Sequence, residues 1–195
     1  MLEQVRREVQ LCVIEHNEED LRYNIDRLLE QPILQAVYAE TLRLRVNGFI
    51  VRYPSKEDLK INDWSIPKNN FVLTSSTPGH MDQDIWCTGS NKSHPTEEFW
   101  PGRFLKHSED GKSMKFSTET AQGAWMPFGG GSHMCPGRRF AKFEIILTMS
   151  LLVTLYDCEV LADKKNIEMS TRKFGFGSLS AAGKVPVRIR RRSGL

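Results

Sequence analysis

The stretch Phe128-Gly129-Gly130-Gly131-Ser132-His133-Met134-Cys135-Pro136-Gly137 sets one cysteine behind three glycines and directly before an apolar-rich run, Arg138 to Tyr156, whose pattern predicts a helix. Gly137 marks the junction. Free N–H groups at a helix start, and those a glycine turn exposes, can donate toward sulfur and favour thiolate over thiol, so Cys135 is a candidate anion. Gly129, Gly130, Gly131 and Gly137 carry no side chain to collide with a flat ligand. Three other readings compete. A lone cysteine before a helix is usually a small buried residue. Zinc needs three or four ligands, and His133 and Cys135 supply two. A phosphate cradle would need the Walker lysine spacing or the six-residue dinucleotide fingerprint, and the run has neither.

Upstream the pattern changes several times. Leu2, Val5, Val9 and the Cys12/Val13 pair recur at three- and four-residue steps and predict an amphipathic helix from Leu2 to Ile14. After the polar stretch His16 to Asn24, a second helix opens at Pro32 and runs through Ile33, Leu34, Val37, Thr41 and Leu44, stopping by Asn47-Gly48. A small sheet is expected over 49–74, from the runs beginning at Phe49, Leu59 and Phe71, with a turn at Asn62-Asp63. Residues 78–127 hold prolines, glycines and isolated aromatics (Trp86, Phe99, Trp100, Phe104, Trp125) without sustained periodicity. Irregular segments of that length are uncommon and usually functional. Beyond the helix at 138–156, residues 158–190 alternate enough to predict strands with a turn near Ala182-Gly183.

The 195 residues bound one domain or part of one. A 39% hydrophobic and 26% charged composition belongs to globular chains. With 27 basic against 24 acidic residues the field is too weak to grip phosphates, and no nucleic acid partner is expected. The run Arg188 to Arg192 reads as a solvated terminus. Cys12, Cys87, Cys135 and Cys158 form no CxxC pair, which suits a reducing compartment. The amino terminus lacks an uninterrupted apolar core, so no anchor or export signal is expected in this chain. Ile145 to Tyr156 is too short to cross about 30 Å of hydrocarbon and reads as a buried helix.

The whole string Phe128-x-x-Gly131-x-His133-x-Cys135-x-Gly137 resembles the haem-binding signature of the cytochrome P450 family. The resemblance implies that Cys135 is the proximal thiolate ligand to haem iron, with Phe128 packed near the sulfur and Gly131 and Gly137 keeping the loop tight. His133 stands where most members have arginine and, as in some members, would hydrogen-bond a haem propionate. Glu40-Thr-Leu-Arg43 resembles the ExxR motif of the family's K helix, about 32–45 here, and Pro101-Gly-Arg103-Phe104 resembles its PxRF-type motif. Glu40 and Arg43, three apart, share a helix face and can pair. The resemblance adds Arg103 as the third member of a structural network supporting the Cys loop. Arg52 falls where the family directs an arginine to a haem propionate. His80 opens a stretch similar to HxDxxxW, where a loop histidine bonded to backbone is preferred over a haem contact. Val46 to Ile50 and Lys173 to Gly177 would be substrate-facing loops.

The implied fold is mainly α with small β-sheets, an α+β arrangement of the P450 type, with 78–127 as its meander and 138–156 as its L helix. The chain would correspond to the proximal, carboxy-terminal part. The implied function is haem-thiolate monooxygenation of a small apolar substrate with O2, electrons coming from an NADPH–cytochrome reductase or other donor. Arg138, Arg139 and Lys142 would face that donor. A haem-thiolate isomerase or dehydratase without a reductase, and a non-catalytic haem sensor with Cys135-Pro136 as a labile ligand, stay open. No Ala/Gly-Gly-x-Asp/Glu-Thr string is present, and Glu18-Glu-Asp-Leu21 lacks both glycine and threonine, so no catalytic residue is assigned. The chain alone is expected to bind haem poorly and not to turn over. For a full-length parent the resemblance implies the endoplasmic reticulum membrane, on its cytoplasmic face.

Overall fold

A computed structural model describes residues 1–16, 20–108, 110–111, 113–121 and 123–192, so Glu18 and Glu19 of the Glu18–Leu21 string lie outside the described residues. The chain begins with α1 (Leu2–Gln10), β1 (Val13–His16), β2 (Leu21–Tyr23), α2 (Ile25–Leu29) and α3 (Pro32–Arg45). It continues through β3 (Val46–Arg52), β4 (Leu59–Ile61), β5 (Trp64–Ile66), β6 (Val72–Ser75), α4 (Thr77–Met81), β7 (Leu105–His107) and β8 (Met114–Phe116). The closing elements are α5 (Arg138–Leu155), β9 (Tyr156–Val160), α6 (Lys164–Ile167), β10 (Phe176–Ser178) and β11 (Val187–Arg191).

The first helix stops at Gln10, four residues short of its expected end, because Val13 and its neighbours pair antiparallel with the Leu21 strand instead. Asn24 then caps α2 by accepting the Arg27 N–H at 3.0 Å. Pro32 sits in the first turn of α3, whose orphan N–H groups at Ile33 and Leu34 are met by Glu8 of α1 at 3.0 and 2.9 Å. Burial raises the Glu8 carboxyl above its ordinary range, and those two N–H groups pull it partway back.

Helix α3 serves two cores. Leu34, Tyr38 and Leu42 join Val5, Val9, Tyr23, Leu28 and Ile146. Ala36 and Ala39 turn the other way, onto Trp86, Phe104 and Ala121. Small residues there let the irregular segment approach the helix closely.

Val46 leaves α3 directly into β3, the centre of a three-stranded sheet ordered β10-β3-β6. The predicted turn at Asn62-Asp63 joins the β4–β5 hairpin, Asn62 taking φ +50°. Residues 78–127 are mostly irregular, as expected, except for the remainder of α4 and the β7–β8 hairpin. Strands of three residues leave no periodic trace. The carboxy-terminal strands split their allegiance: β9 pairs with β11, and β10 joins β3. Helix α5 buries only Ile146, Ser150 and Thr154 completely, one stripe at four-residue steps facing α1, α2 and α3. The expectation of a buried helix over Ile145 to Tyr156 is corrected in part by Ile145 and Leu152, which are exposed among the described residues. Among the described residues no helix is long and apolar enough to cross a membrane.

Candidate functional site

Glu40 and Arg43 lie one turn apart on α3 and pair bidentately, Nε to Oε2 at 2.7 Å and Nη2 to Oε1 at 2.9 Å. Arg103 arrives from the 3₁₀ turn Pro101–Phe104 and donates Nε to Glu40 Oε1 at 3.2 Å. The side chains of all three are wholly buried. Two cations against one anion would leave an uncompensated buried charge, and the remaining donors meet carbonyl dipoles instead. Arg43 reaches the carbonyls of His80 at 2.7 Å and Thr96 at 2.6 Å; Arg103 reaches those of Cys87 at 2.5 Å, His94 at 3.1 Å, Glu98 at 3.2 Å and Pro95. Trp100 adds its N–H to Glu40 Oε1 at 2.9 Å. Each guanidinium also lies 5.4 Å from an indole centroid, Arg43 over Trp86 and Arg103 over Trp100.

His80 carries this cluster toward the cysteine. Its ring is buried, and Nε2 accepts the Met126 N–H at 3.1 Å, so the sequence stretch around His80 supplies a backbone contact. Met126 in turn accepts the Gly129 N–H at 3.2 Å.

The loop itself closes through the Cys135 N–H, which donates to the Phe128 carbonyl at 3.0 Å. Gly129 and Gly131 take φ of +75° and +68°, the left-handed region where a Cβ is strained, although nothing would crowd it. Conformation selects glycine at these two positions. Gly137 has ordinary φ, and a Cβ there would stand 3.8 Å from the Cys135 sulfur. Cys135 is exposed, and the nearest helix-start N–H, that of Arg138, reaches its backbone rather than its sulfur. The first-turn N–H of Arg138 and its Nη1 instead turn to the Cys135 carbonyl, at 3.4 and 3.1 Å.

Arg52, Phe128, His133 and Cys135 line one cavity of about 240 Å³ between β3 and the loop. Arg52 presently donates to the carbonyls of Val51 at 2.8 Å and Gly130 at 3.2 Å. Phe49 borders the same cavity and meets the other predicted loop, its N–H bonding the Gly175 carbonyl at 3.0 Å and its ring lying 5.9 Å from Phe174. A soft sulfur donor, an apolar wall and two nitrogen-bearing side chains at one opening fit a flat iron-bearing ring with acidic substituents. Zinc fits poorly, since among the described residues no three His, Cys, Asp or Glu side chains cluster.

Sequence reasoning missed Gly102, Trp100 and Glu8. A Cβ on Gly102 would stand 2.5 Å from the Trp100 indole, so Pro-Gly-Arg needs its glycine to let that ring fold back over Arg103. The aromatic two residues before Gly102 was the available signal.

A cytochrome P450 family model matches residues 1–187. The chain is 39% identical over 210 aligned residues to the cytochrome P450 monooxygenase efuG of Hormonema carpetanum, covering 96% of this chain and 37% of that protein. It is 31% identical to a bifunctional cytochrome P450/NADPH–P450 reductase of Gibberella moniliformis, over 78% of this chain and 13% of that one. Among solved structures, the retinoic-acid-bound cyanobacterial CYP120A1 superposes with a TM-score of 0.70 at 25% identity, covering 98% of this chain and 38% of that chain. The chain thus spans little more than a third of the length of efuG and of CYP120A1.

Proposed function

The chain belongs to the cytochrome P450 family and has its fold, and from that premise we propose that it forms the proximal, carboxy-terminal part of a haem-thiolate monooxygenase acting on a small apolar organic substrate. The observation that carries this reading is the exposed Cys135 sulfur on the same cavity as Arg52, Phe128 and His133. Haem held there would supply dioxygen activation, which a thiolate ligand such as Cys135 would favour.

This chain's own residues hold and shape the site. Cys135 would be the iron ligand, with Phe128 on the wall of the same cavity. Arg52 and His133 take the propionates, Arg52 exchanging its backbone partners for them. Gly129 and Gly131 give the loop a turn that other residues resist. Glu40, Arg43 and Arg103, working through His80, fix the point where the loop begins.

P450 proteins generally take electrons from a reductase, and the fused reductase of one relative supports that partner here. Arg138, Arg139 and Lys142 are the proposed docking cations for an NADPH–cytochrome reductase. Placement of a full-length parent at the cytoplasmic face of the endoplasmic reticulum rests on the resemblance alone; cell fractionation tests it.

The test is the reduced carbon monoxide spectrum of the haem-loaded protein. Thiolate ligation gives a long-wavelength Soret band, and Cys135→Ser should abolish it. A band that survives the substitution rejects Cys135 as ligand. The 195-residue chain alone should take up haem weakly and show no reductase-driven oxidation; stoichiometric uptake with turnover would refute that.

A further inference from the structure

A second cavity, of about 270 Å³, shares Phe128 with the first. Tyr38, Phe116 and Trp125 complete its aromatic lining. The start of α5 supplies the rest, with Arg138, Arg139 and Lys142.

Two features of this lining are unexplained by the fold. The Tyr38 hydroxyl and the Trp125 indole N–H are shut off from solvent with no hydrogen-bond partner among the described residues, and Tyr38 is only 6% exposed. Buried polar groups are nearly always paired, and an orphaned donor costs about 1–3 kcal/mol. Burial pushes the Tyr38 phenol up to about 12, so it remains a donor at neutral pH. The three cations stand at the helix end where the macrodipole disfavours them, and none has a carboxylate within 4.0 Å among the described residues. Lys142 is half-buried; among the described residues it hydrogen-bonds Gln35 Oε1 at 2.6 Å, and the Glu30 carboxylate acts on it from farther off. An anion would answer the unpaired cations, and the aromatic lining asks for a ring attached to it; the two orphaned donors have no accessible surface and lie behind that lining.

We propose that this cavity binds a small aromatic carboxylate, its ring against Phe116, Trp125 and Phe128 and its carboxylate on Arg139 and Lys142. The volume lies below the roughly 300–1,000 Å³ of drug-sized sites, which limits the ligand to a single ring. The proposal is independent of haem.

The test titrates the 195-residue chain with phenylacetate and with phenylacetamide, following the Trp125 indole N–H resonance, assigned with Trp125→Phe. Phenylacetate should bind saturably and shift that resonance, and the uncharged amide should bind at least about tenfold more weakly, a difference of about 1.4 kcal/mol. Lys142→Gln and Arg139→Gln should each weaken phenylacetate severalfold; Arg139 is exposed, so its variant keeps the core intact. Equal affinity for acid and amide, an unmoved Trp125 resonance, or undiminished affinity in both charge variants would overturn the proposal.

Discussion

The Arg43 guanidinium donates Nη1 to the carbonyl of His80 at 2.7 Å, and the imidazole of that same histidine receives the Met126 N–H at 3.1 Å. One hydrogen-bonded route from α3 toward the Cys loop therefore runs through His80, using its backbone on one side and its ring on the other. Two consequences concern this connection directly.

Glu40→Gln removes the single anion from a buried site that keeps two guanidinium groups. Breaking a buried pair on one side costs about 3–5 kcal/mol. Urea unfolding of the variant should show that loss as a lowered midpoint, with Arg43→Lys next in severity because it forfeits the bidentate fork. An unmoved midpoint for Glu40→Gln would remove the cluster from the account of stability.

Acidification should act through His80. Burial first, and then the neighbouring Arg43 charge, push its pKa down to about 4, while the carbonyls of Arg43 and Val46 draw it partway back. Because the folded value lies below the unfolded value of about 6.5, the unfolded chain binds more protons in between. Stability is fully present above that unfolded value and drains away as pH falls toward about 4, by up to about 3 kcal/mol. Protonation would also turn the Nε2 acceptor into a donor facing the Met126 N–H. The difference in urea midpoint between the wild-type chain and His80→Gln, taken across that range, isolates the effect; a pH-independent difference contradicts it.

Gly102→Ala and Gly129→Ala should fail for different reasons. At Gly102 the new methyl meets the Trp100 ring, which must swing away from its stacking on His94, 4.2 Å between centroids. Overpacking of that kind costs about 1–3 kcal/mol, and tryptophan fluorescence should change with it. At Gly129 space is free and only φ +75° is penalised, by about 1–2 kcal/mol. Asparagine, which tolerates that region, should recover part of the loss at Gly129 and none at Gly102, as thermal unfolding would show.

Glu8→Gln should leave one of the Ile33 and Leu34 N–H groups without an acceptor and the other with a neutral one. A lost cap costs about 1 kcal/mol. Hydrogen exchange at those two amides should quicken ahead of the rest of α3; uniform protection along the helix would contradict the assignment.

Local pattern made much of this architecture legible. Pro32 and the apolar steps behind it marked α3, the glycine-to-helix junction marked α5, and Asn62-Asp63 marked a hairpin. The three-residue spacing placed Glu40 and Arg43 on one helix face where they can pair, and the family resemblance implied the network with Arg103. What escaped was non-local. Glu8 serves a helix start some two dozen positions along the chain, and β10 crosses the sequence to reach β3. The acceptors of Arg103 are backbone carbonyls, which every residue carries and no side-chain pattern advertises. The amino-terminal helix was overread because Val13 continues a helical spacing while its branched side chain serves equally in a strand.

The two arginines have a practical consequence for handling this protein. All four cysteines are free, yet the long segment after α4 is stitched to the fold at the carbonyls of Cys87, His94, Thr96 and Glu98. Exported domains commonly fasten such stretches with sulfur bridges. Here dithiothreitol finds nothing to cut, and the seam opens only when the carboxylate between the two forks is taken away.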